Sequence, residues 1–313
     1  FEQVIVQRDI DDLPAGELLI RVKYSSLNYK DALSASGNRG VTKSFPHTPG
    51  IDAAGVVEAS SVAEFSAGDE VIVTGYDLGM NTSGGLAQYI RIPASWALKR
   101  PKGLSLREAM VLGTAGLTAA LCVDKLEQSG LTPDAGTVLV TGATGGVGSV
   151  AVALLTTLGY RVAASTGKAE QADYLKALGA QQIVLRAELQ DGTDKPMLKE
   201  QWAGAVDCVG GDILFNVVKS LRYGASVACC GLTAGVGFKG SVLPFILRGV
   251  NLLGVDSVEL PLVVKASMWD KLSLQWKVKL DALVTEVTLE QLPDAIAQIL
   301  AGKQVGRVLV NLG

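Results

Sequence analysis

The stretch Thr141-Gly142-Ala143-Thr144-Gly145-Gly146-Val147-Gly148 decides the reading of this chain. A short β-branched run, residues 137–141, leads into it. Apolar residues then recur at Val147, Val150, Ala151, Leu154, Leu155 and Leu158, the spacing of an amphipathic helix. A glycine-rich turn between a strand and a helix is the setting the dinucleotide fingerprint requires. Gly142 allows the tight turn, Gly145 lets backbone N–H groups reach a pyrophosphate, and Gly148 permits close helix–sheet packing. The helix N-terminus adds unpaired donors and a positive dipole end. Thr144, Gly145, Gly146 and Val147 are the expected phosphate contacts.

Working outward, strands and helices alternate. Residues 160–165 read as a second strand, 169–178 as a helix closed by Gly179, and 182–186 as a third strand. Residues 205–209 and 225–230 continue the pattern, which implies a parallel sheet. An NAD site usually carries an acid about 20 residues beyond the glycine turn, at the end of the second strand. Here that region reads Ala163-Ala164-Ser165-Thr166-Gly167-Lys168. Hydroxyls and a cation suit a 2′-phosphate instead, with Arg186 as a second cation. Thr166, Gly167, Lys168 and Arg186 therefore point to NADPH rather than NADH.

The flanks differ. The first 110 or so residues read as short strands (18–24, 55–58, 70–74 and one after Gly84-Gly85) separated by turns. The last 55 or so are mixed, with a helix over 289–300 and a strand over 307–311. A terminal strand after an α/β block can return to the first domain. We therefore expect a discontinuous β-rich domain, residues 1–112 and 256–313, with an α/β domain over 113–255 inserted in it.

Composition sets bounds. Hydrophobic residues are 48% and charged residues 19% of the chain, a globular balance. Glycine supplies 36 of 313 residues, well above the usual share, with no matching rise in proline. The net charge of −3 gives no electrostatic case for nucleic acid or an anionic membrane. No uninterrupted apolar run reaches the ~18 residues of a membrane span, and the N-terminus has no signal-peptide pattern. It starts at Phe1 without a methionine, so the numbering is open to a longer natural chain. The four cysteines form no C-x-x-C pair, so free thiols and a reducing, cytoplasmic setting are expected. With one histidine, His47, and no cysteine before Cys122, a His/Cys zinc site is excluded. His47 lies in a proline-rich loop and supports no catalytic triad. The chemistry must come from the cofactor.

The runs Asn28-Tyr29-Lys30-Asp31, Pro49-Gly50-Ile51-Asp52-Ala53-Ala54-Gly55 and Gly113-Thr114-Ala115-Gly116-Leu117-Thr118-Ala119, with the glycine turn, resemble medium-chain dehydrogenases/reductases. The chain is most similar to the zinc-free, quinone-oxidoreductase-like branch. Pro244-Phe245-Ile246-Leu247-Arg248 and Gly254-Val255-Asp256-Ser257 look like its acrylyl-CoA reductase group. Gly50-Ile51-Asp52 stands where the zinc-dependent members have Gly-His-Glu. The resemblance implies a Rossmann-type doubly wound parallel sheet inserted in a GroES-like substrate domain. It implies NADPH-dependent reduction of the C=C bond of an α,β-unsaturated thioester, acrylyl-CoA to propionyl-CoA. Asn28 and Asp52 are then the catalytic candidates: Asn28 donating to the thioester carbonyl or orienting the nicotinamide amide, Asp52 holding Asn28 or relaying a proton. The alternative for both is satisfaction of loop backbone groups. Tyr29, Leu232, Ile246, Ser257 and Arg307 match family positions at the cofactor. Core packing competes for Tyr29, Leu232 and Ile246, and a surface charge for Arg307.

Arg39 and Lys43, in the loop over residues 36–44, are candidates for coenzyme A phosphates, and Arg248 for the substrate. The rival reading in the same class is an NADPH quinone oxidoreductase. One of a different class is a non-catalytic NADPH-binding sensor or structural protein. The apolar run over residues 250–255 suits sheet-edge pairing in a homodimer.

Overall fold

The computed structural model describes residues 1–279 and 281–313. In the first half of the chain lie β1 (Leu18–Leu27), α1 (Tyr29–Ala35), β2 (Asp52–Ser60), β3 (Glu70–Thr74), β4 (Tyr89–Ile92), β5 (Ala97–Lys99) and α2 (Leu106–Gln128). The middle holds β6 (Thr137–Val140), α3 (Gly146–Thr157), β7 (Arg161–Thr166), α4 (Ala172–Ala177), β8 (Gln182–Leu185), β9 (Gly204–Asp207), α5 (Gly211–Ser220), β10 (Ser226–Cys229), α6 (Leu243–Arg248) and β11 (Asn251–Gly254). Then follow α7 (Leu262–Ser273), β12 (Val284–Val287), α8 (Leu292–Leu300) and β13 (Arg307–Asn311).

Two compact units result. The first comprises Phe1–Leu117, Ser257–Leu274 and Leu283–Gly313; the second comprises Thr118–Asp256 and Gln275–Ala282. In the first, β1 is the hub. It pairs antiparallel with β2, β4 and β13, and the sheet path runs β12-β13-β1-β2-β3-β5. The last strand therefore returns to the first, with Ser26 opposite Leu309. Leu18, Ile20, Val22, Val71, Ile90, Ile92, Val308 and Val310 are almost wholly buried on these strands. Each such side chain contributes about 1.5–3 kcal/mol by leaving water.

The second unit is a six-stranded sheet in the order β11-β10-β9-β6-β7-β8, with every pair parallel. The order reverses between β6 and β9, which is where open α/β sheets place ligands, beyond the C-terminal strand ends. Leu139, Ala163, Ala205, Val227, Val217 and Val218 form its core. β11 is an edge strand, not an internal one. The helix expected over 169–178 opens as a single 3-10 turn at Ala169–Gln171 before α4.

The helix α2 has no counterpart in the sequence reading. By length and composition alone it is apolar enough to cross a membrane, but 83% of its most apolar window is buried inside the protein. That is the signature of a core helix. Its backbone breaks at Gly113, with φ 51° and ψ −156°.

Candidate active site

In the first unit, a buried polar cluster gathers around Asp52, the first residue of β2. Four donors converge on its carboxylate. Oδ2 accepts from Ser26 Oγ at 2.6 Å, Asn28 Nδ2 at 2.8 Å and Thr114 N at 2.9 Å; Oδ1 accepts from Thr114 Oγ1 at 2.6 Å. With three donors on Oδ2 and one on Oδ1, the carboxylate is held firmly, and Oδ2 has no acceptor site left. The break at Gly113 is what frees the Thr114 N–H, because a helix that restarts there presents unpaired donors to an anion. A Cβ on residue 113 would lie 2.4 Å from Ser26 Oγ, 2.5 Å from Asp52 Oδ2 and 3.0 Å from Arg307 Nη2. Glycine is required there on both conformational and steric grounds.

Asn28 is 9% exposed. Its Nδ2 donates to Asp52 Oδ2 and, at 3.2 Å, to Ser26 O. Because a carboxylate only accepts, the amide orientation is set: both N–H bonds are used and Oδ1 is left as the acceptor. Oδ1 has one long contact, 3.5 Å, from Arg307 Nη1. Donation from Asn28 to a substrate carbonyl would compete with these two bonds. Orienting an amide donor through Oδ1 is open to it.

Arg307, the first residue of β13, is 3% exposed, so the surface-charge reading fails. Its Nε donates to Val111 O at 3.0 Å, and Nη2 is buried with no hydrogen-bond partner among the described residues. Burial lowers its pKa, while the Asp52 and Asp31 carboxylates raise it. Asp31 is a member that sequence reasoning missed. It is wholly buried in the first turn of α1. Its Oδ2 accepts from Asn28 N at 2.8 Å and its Oδ1 from Ile51 N at 2.9 Å. It thus ties the residue before α1 to the residue before β2. Burial, with a smaller contribution from the charge of Asp52, pushes its pKa up to about 7 against the hydrogen bonds that lower it.

In the second unit, the glycine turn leaves β6 with Gly142 at φ 60° and opens α3, whose N-cap is Gly145. A Cβ on Gly148 would lie 2.3 Å from the Gly142 carbonyl oxygen, so only glycine lets the first turn of α3 approach the strand end. Thr144 and Thr166 are buried, their hydroxyls 3.3 Å apart, and Thr166 Oγ1 accepts from Lys168 N at 2.9 Å. The Arg186 guanidinium lies over Gly167: a Cβ there would meet its Cζ at 2.8 Å. Burial lowers the Lys168 pKa, Glu170 pushes back, and Arg186 lowers it further. The end of β7 thus carries two cations near one another and no acid on the strand end. This fits a nucleotide carrying a 2′-phosphate.

Other expected residues fall as follows. Tyr29 is 41%, Leu232 58% and Ile246 68% exposed, so none is core packing. Ser257 is buried in the first unit. Arg39 is exposed, donates to Lys43 O at 2.6 Å and faces the Phe45 ring at 5.7 Å. Arg248 donates to the backbone carbonyls of Lys219, Leu221 and Leu198 and pairs with Glu200 at 3.3 Å, so its groups are engaged within the second unit. His47 Nε2 lies 2.9 Å from Gly79 O, a loop contact. Among the described residues, no three His, Cys, Asp or Glu side chains group as metal ligands.

Residues 14–102 match the alcohol dehydrogenase GroES-like domain, and residues 146–273 match the zinc-binding dehydrogenase model. The chain is 47% identical over 312 residues to the acrylyl-CoA reductase AcuI of Ruegeria pomeroyi, covering 99% of this chain and 94% of that one. It is 50% identical to the putative quinone oxidoreductase YhfP of Bacillus subtilis, covering 96% and 92%. The chain belongs to the zinc-free, quinone oxidoreductase-like branch of the medium-chain dehydrogenases/reductases. Among solved members of this branch, the yhdH oxidoreductase of Salmonella enterica in complex with NADP superposes with a TM-score of 0.96. It is 45% identical, with 98% and 95% of the two chains covered. The B. subtilis yhfP protein with NAD bound gives a TM-score of 0.94 at 50% identity, covering 97% and 93%. The fold of this medium-chain reductase, with a Rossmann-type parallel sheet and a GroES-like β-rich sheet, is the one expected from its sequence.

Proposed function

We propose that this protein reduces the C=C bond of an α,β-unsaturated thioester, acrylyl-CoA to propionyl-CoA, using NADPH and no metal. The observation that carries the cofactor choice is the Lys168–Arg186 pair on Gly167, at a strand end without an acid. Likeness to the acrylyl-CoA reductase of R. pomeroyi supports the substrate class. The first unit serves the substrate and the second the nucleotide; the boundaries lie near those expected, at 117/118 and 256/257, with Gln275–Ala282 joining the second unit.

When bound, NADPH supplies the hydride delivered to the β-carbon of the substrate. The second unit holds its phosphates on the first turn of α3 through Thr144, Gly145, Gly146 and Val147, and its 2′-phosphate on Thr166, Gly167, Lys168 and Arg186. Leu232 and Ile246 offer exposed apolar surface to the nicotinamide, with Tyr29 and Ser257 as further cofactor contacts. In the first unit Asp52 holds Asn28, and Asn28 Oδ1 orients an amide donor. Arg307 is the buried cation beside them. It favours negative charge on the thioester oxygen, the kind of electrostatic term that dominates such reactions. Arg39 and Lys43 remain the candidates for coenzyme A phosphates.

The likeness to YhfP supports a second reading, NADPH quinone oxidoreductase. The decisive assay follows NADPH consumption with acrylyl-CoA, beside NADH and benzoquinone controls. NADPH-selective turnover of the thioester is the expected result. Turnover of the quinone alone selects the second reading, and NADPH binding without turnover of either selects a sensor or structural role. The edge position of β11 supports a homodimer built by pairing two such edges, which light scattering tests. Free thiols and a reducing cofactor support a cytoplasmic location.

A further inference from the structure

The second unit carries chemistry that the proposed reaction does not use. Cys208 directly follows β9 and Cys230 directly follows β10. The two strands are parallel neighbours with Cys229 opposite Asp207, and Cys230 N donates to Asp207 O at 3.0 Å. One residue further along, the Cys208 and Cys230 sulfurs lie 3.9 Å apart. Adjacent strands sit about 4.8 Å apart, inside the roughly 4.4–6.8 Å Cα range a disulfide spans. Both cysteines are partly exposed, whereas Cys122, the third sulfur in contact, is buried on α2.

The three sulfurs are not equivalent. Hydrogen bonds from the Cys122 and Cys208 thiols lower the pKa of Cys230. Those bonds and burial raise the other two. Protonated, Cys230 donates to Asp207 O at 3.4 Å. A partly exposed thiolate beside a second thiol is the arrangement that oxidants attack.

We infer that Cys208 and Cys230 form a reversible disulfide when the protein meets a peroxide, and that this bond weakens NADPH binding. The Cys230 thiolate attacks one peroxide oxygen and breaks the O–O bond, giving a sulfenic acid and, after proton uptake, water. The Cys208 sulfur then attacks the Cys230 sulfur, the S–S bond forms, and a second water leaves. Two thiols lose two electrons and two protons; the peroxide takes both pairs. A dithiol reverses the step by exchange.

Closing the sulfurs from 3.9 Å to the ~2.05 Å of a disulfide locks both side chains across the ends of β9 and β10 and biases those ends toward the roughly 5.5–6 Å Cα separation usual for the bond. Cys208 stands at the switch point between β6 and β9, and Cys230 lies two residues before Leu232. The consequence for binding rests on the proposed NADPH reading; the bond itself does not.

The test treats the reduced full chain with hydrogen peroxide, maps its peptides without reductant, and measures NADPH affinity. A Cys208–Cys230 cross-linked peptide is expected, with the NADPH Kd raised about tenfold or more and restored by dithiothreitol. Cys230→Ser should keep its affinity through the treatment, Cys208→Ser should form no cross-link, and Cys122→Ser should still form the Cys208–Cys230 bond. A Cys122–Cys230 bond, a bond between chains, or unlinked sulfinic acid at Cys230 overturns the pairing. A Cys208–Cys230 bond that leaves the Kd unchanged overturns the consequence. A reduced chain that binds no NADPH refutes the cofactor reading, and the peptide map still decides the pairing.

Discussion

Asn28 donates to Asp52 through Nδ2 at 2.8 Å, and this bond turns the amide oxygen of Asn28 away from the carboxylate. Asp52, held by Ser26 and Thr114 as well, is thereby the anchor of Asn28. Asp52→Asn places an amide nitrogen among donors and frees Asn28 to rotate. kcat should fall by about 10²-fold, the size of effect a small misplacement brings. The KM for NADPH should hold. Steady-state kinetics separates the two, and a rise confined to KM would contradict the anchoring role.

The break in α2 makes a second expectation. Gly113→Ala adds a Cβ within 2.5 Å of two oxygens at a positive φ. It should destabilise the fold by about 1–3 kcal/mol, read from denaturant unfolding. A variant as stable as the parent would mean that the helix joint relaxes freely.

Asp31 predicts a pH dependence. Its folded pKa, about 7, stands above the ordinary 3.8. The folded chain therefore binds this proton more tightly than the unfolded one. The stability it contributes is complete below about pH 4 and lost as pH rises through about 7. Asp31→Asn cannot ionise, so its stability should change less with pH across that window. It should also lose about 1–3 kcal/mol outright, because one amide nitrogen would face a backbone donor. Thermal unfolding from pH 4 to 8 checks both; parallel slopes for parent and variant would refute the assignment.

Replacing Lys168 and Arg186 together by alanine should raise the KM for NADPH by 10²-fold or so. Each charge-assisted bond is worth about 1.5–3 kcal/mol. The KM for NADH should move little. Equal losses with both nucleotides would place the two cations away from the 2′-phosphate.

The nucleotide unit was legible because its signals are local. The strand, glycine turn and helix over residues 137–158 lie in one continuous run, and Lys168 sits at the next strand end. α2 was not legible: its residues are apolar on most faces, so no period marks it, and Gly113 in its midst reads as a break. The cluster around Asp52 was only half visible. Asn28, Asp52 and Arg307 came from resemblance, Arg307 as a cofactor position, but Ser26 and Thr114 meet them from positions with no spacing rule. Asp31 stood in the quoted Asn28-Tyr29-Lys30-Asp31 run, at the third helical position where an acid caps; that signal would have found it. Arg248 misled because a cation near a presumed site looks like a ligand until its donors are traced to carbonyls. Cys208 and Cys230 are 22 residues apart, and only the parallel register of β9 and β10 brings them together.

β13 is the last strand to be made and one of the central ones in its sheet. Arg307, which opens it, meets Asn28 at a separation of 279 positions in sequence. During synthesis, β1 must wait without that neighbour while the parallel sheet of residues 137–254 emerges and can fold. A nascent chain that has not yet reached residue 307 can hold a nucleotide fold, but its Asp52 cluster lacks the buried cation. The order of translation thus makes the cofactor end of this protein early and its chemical end late.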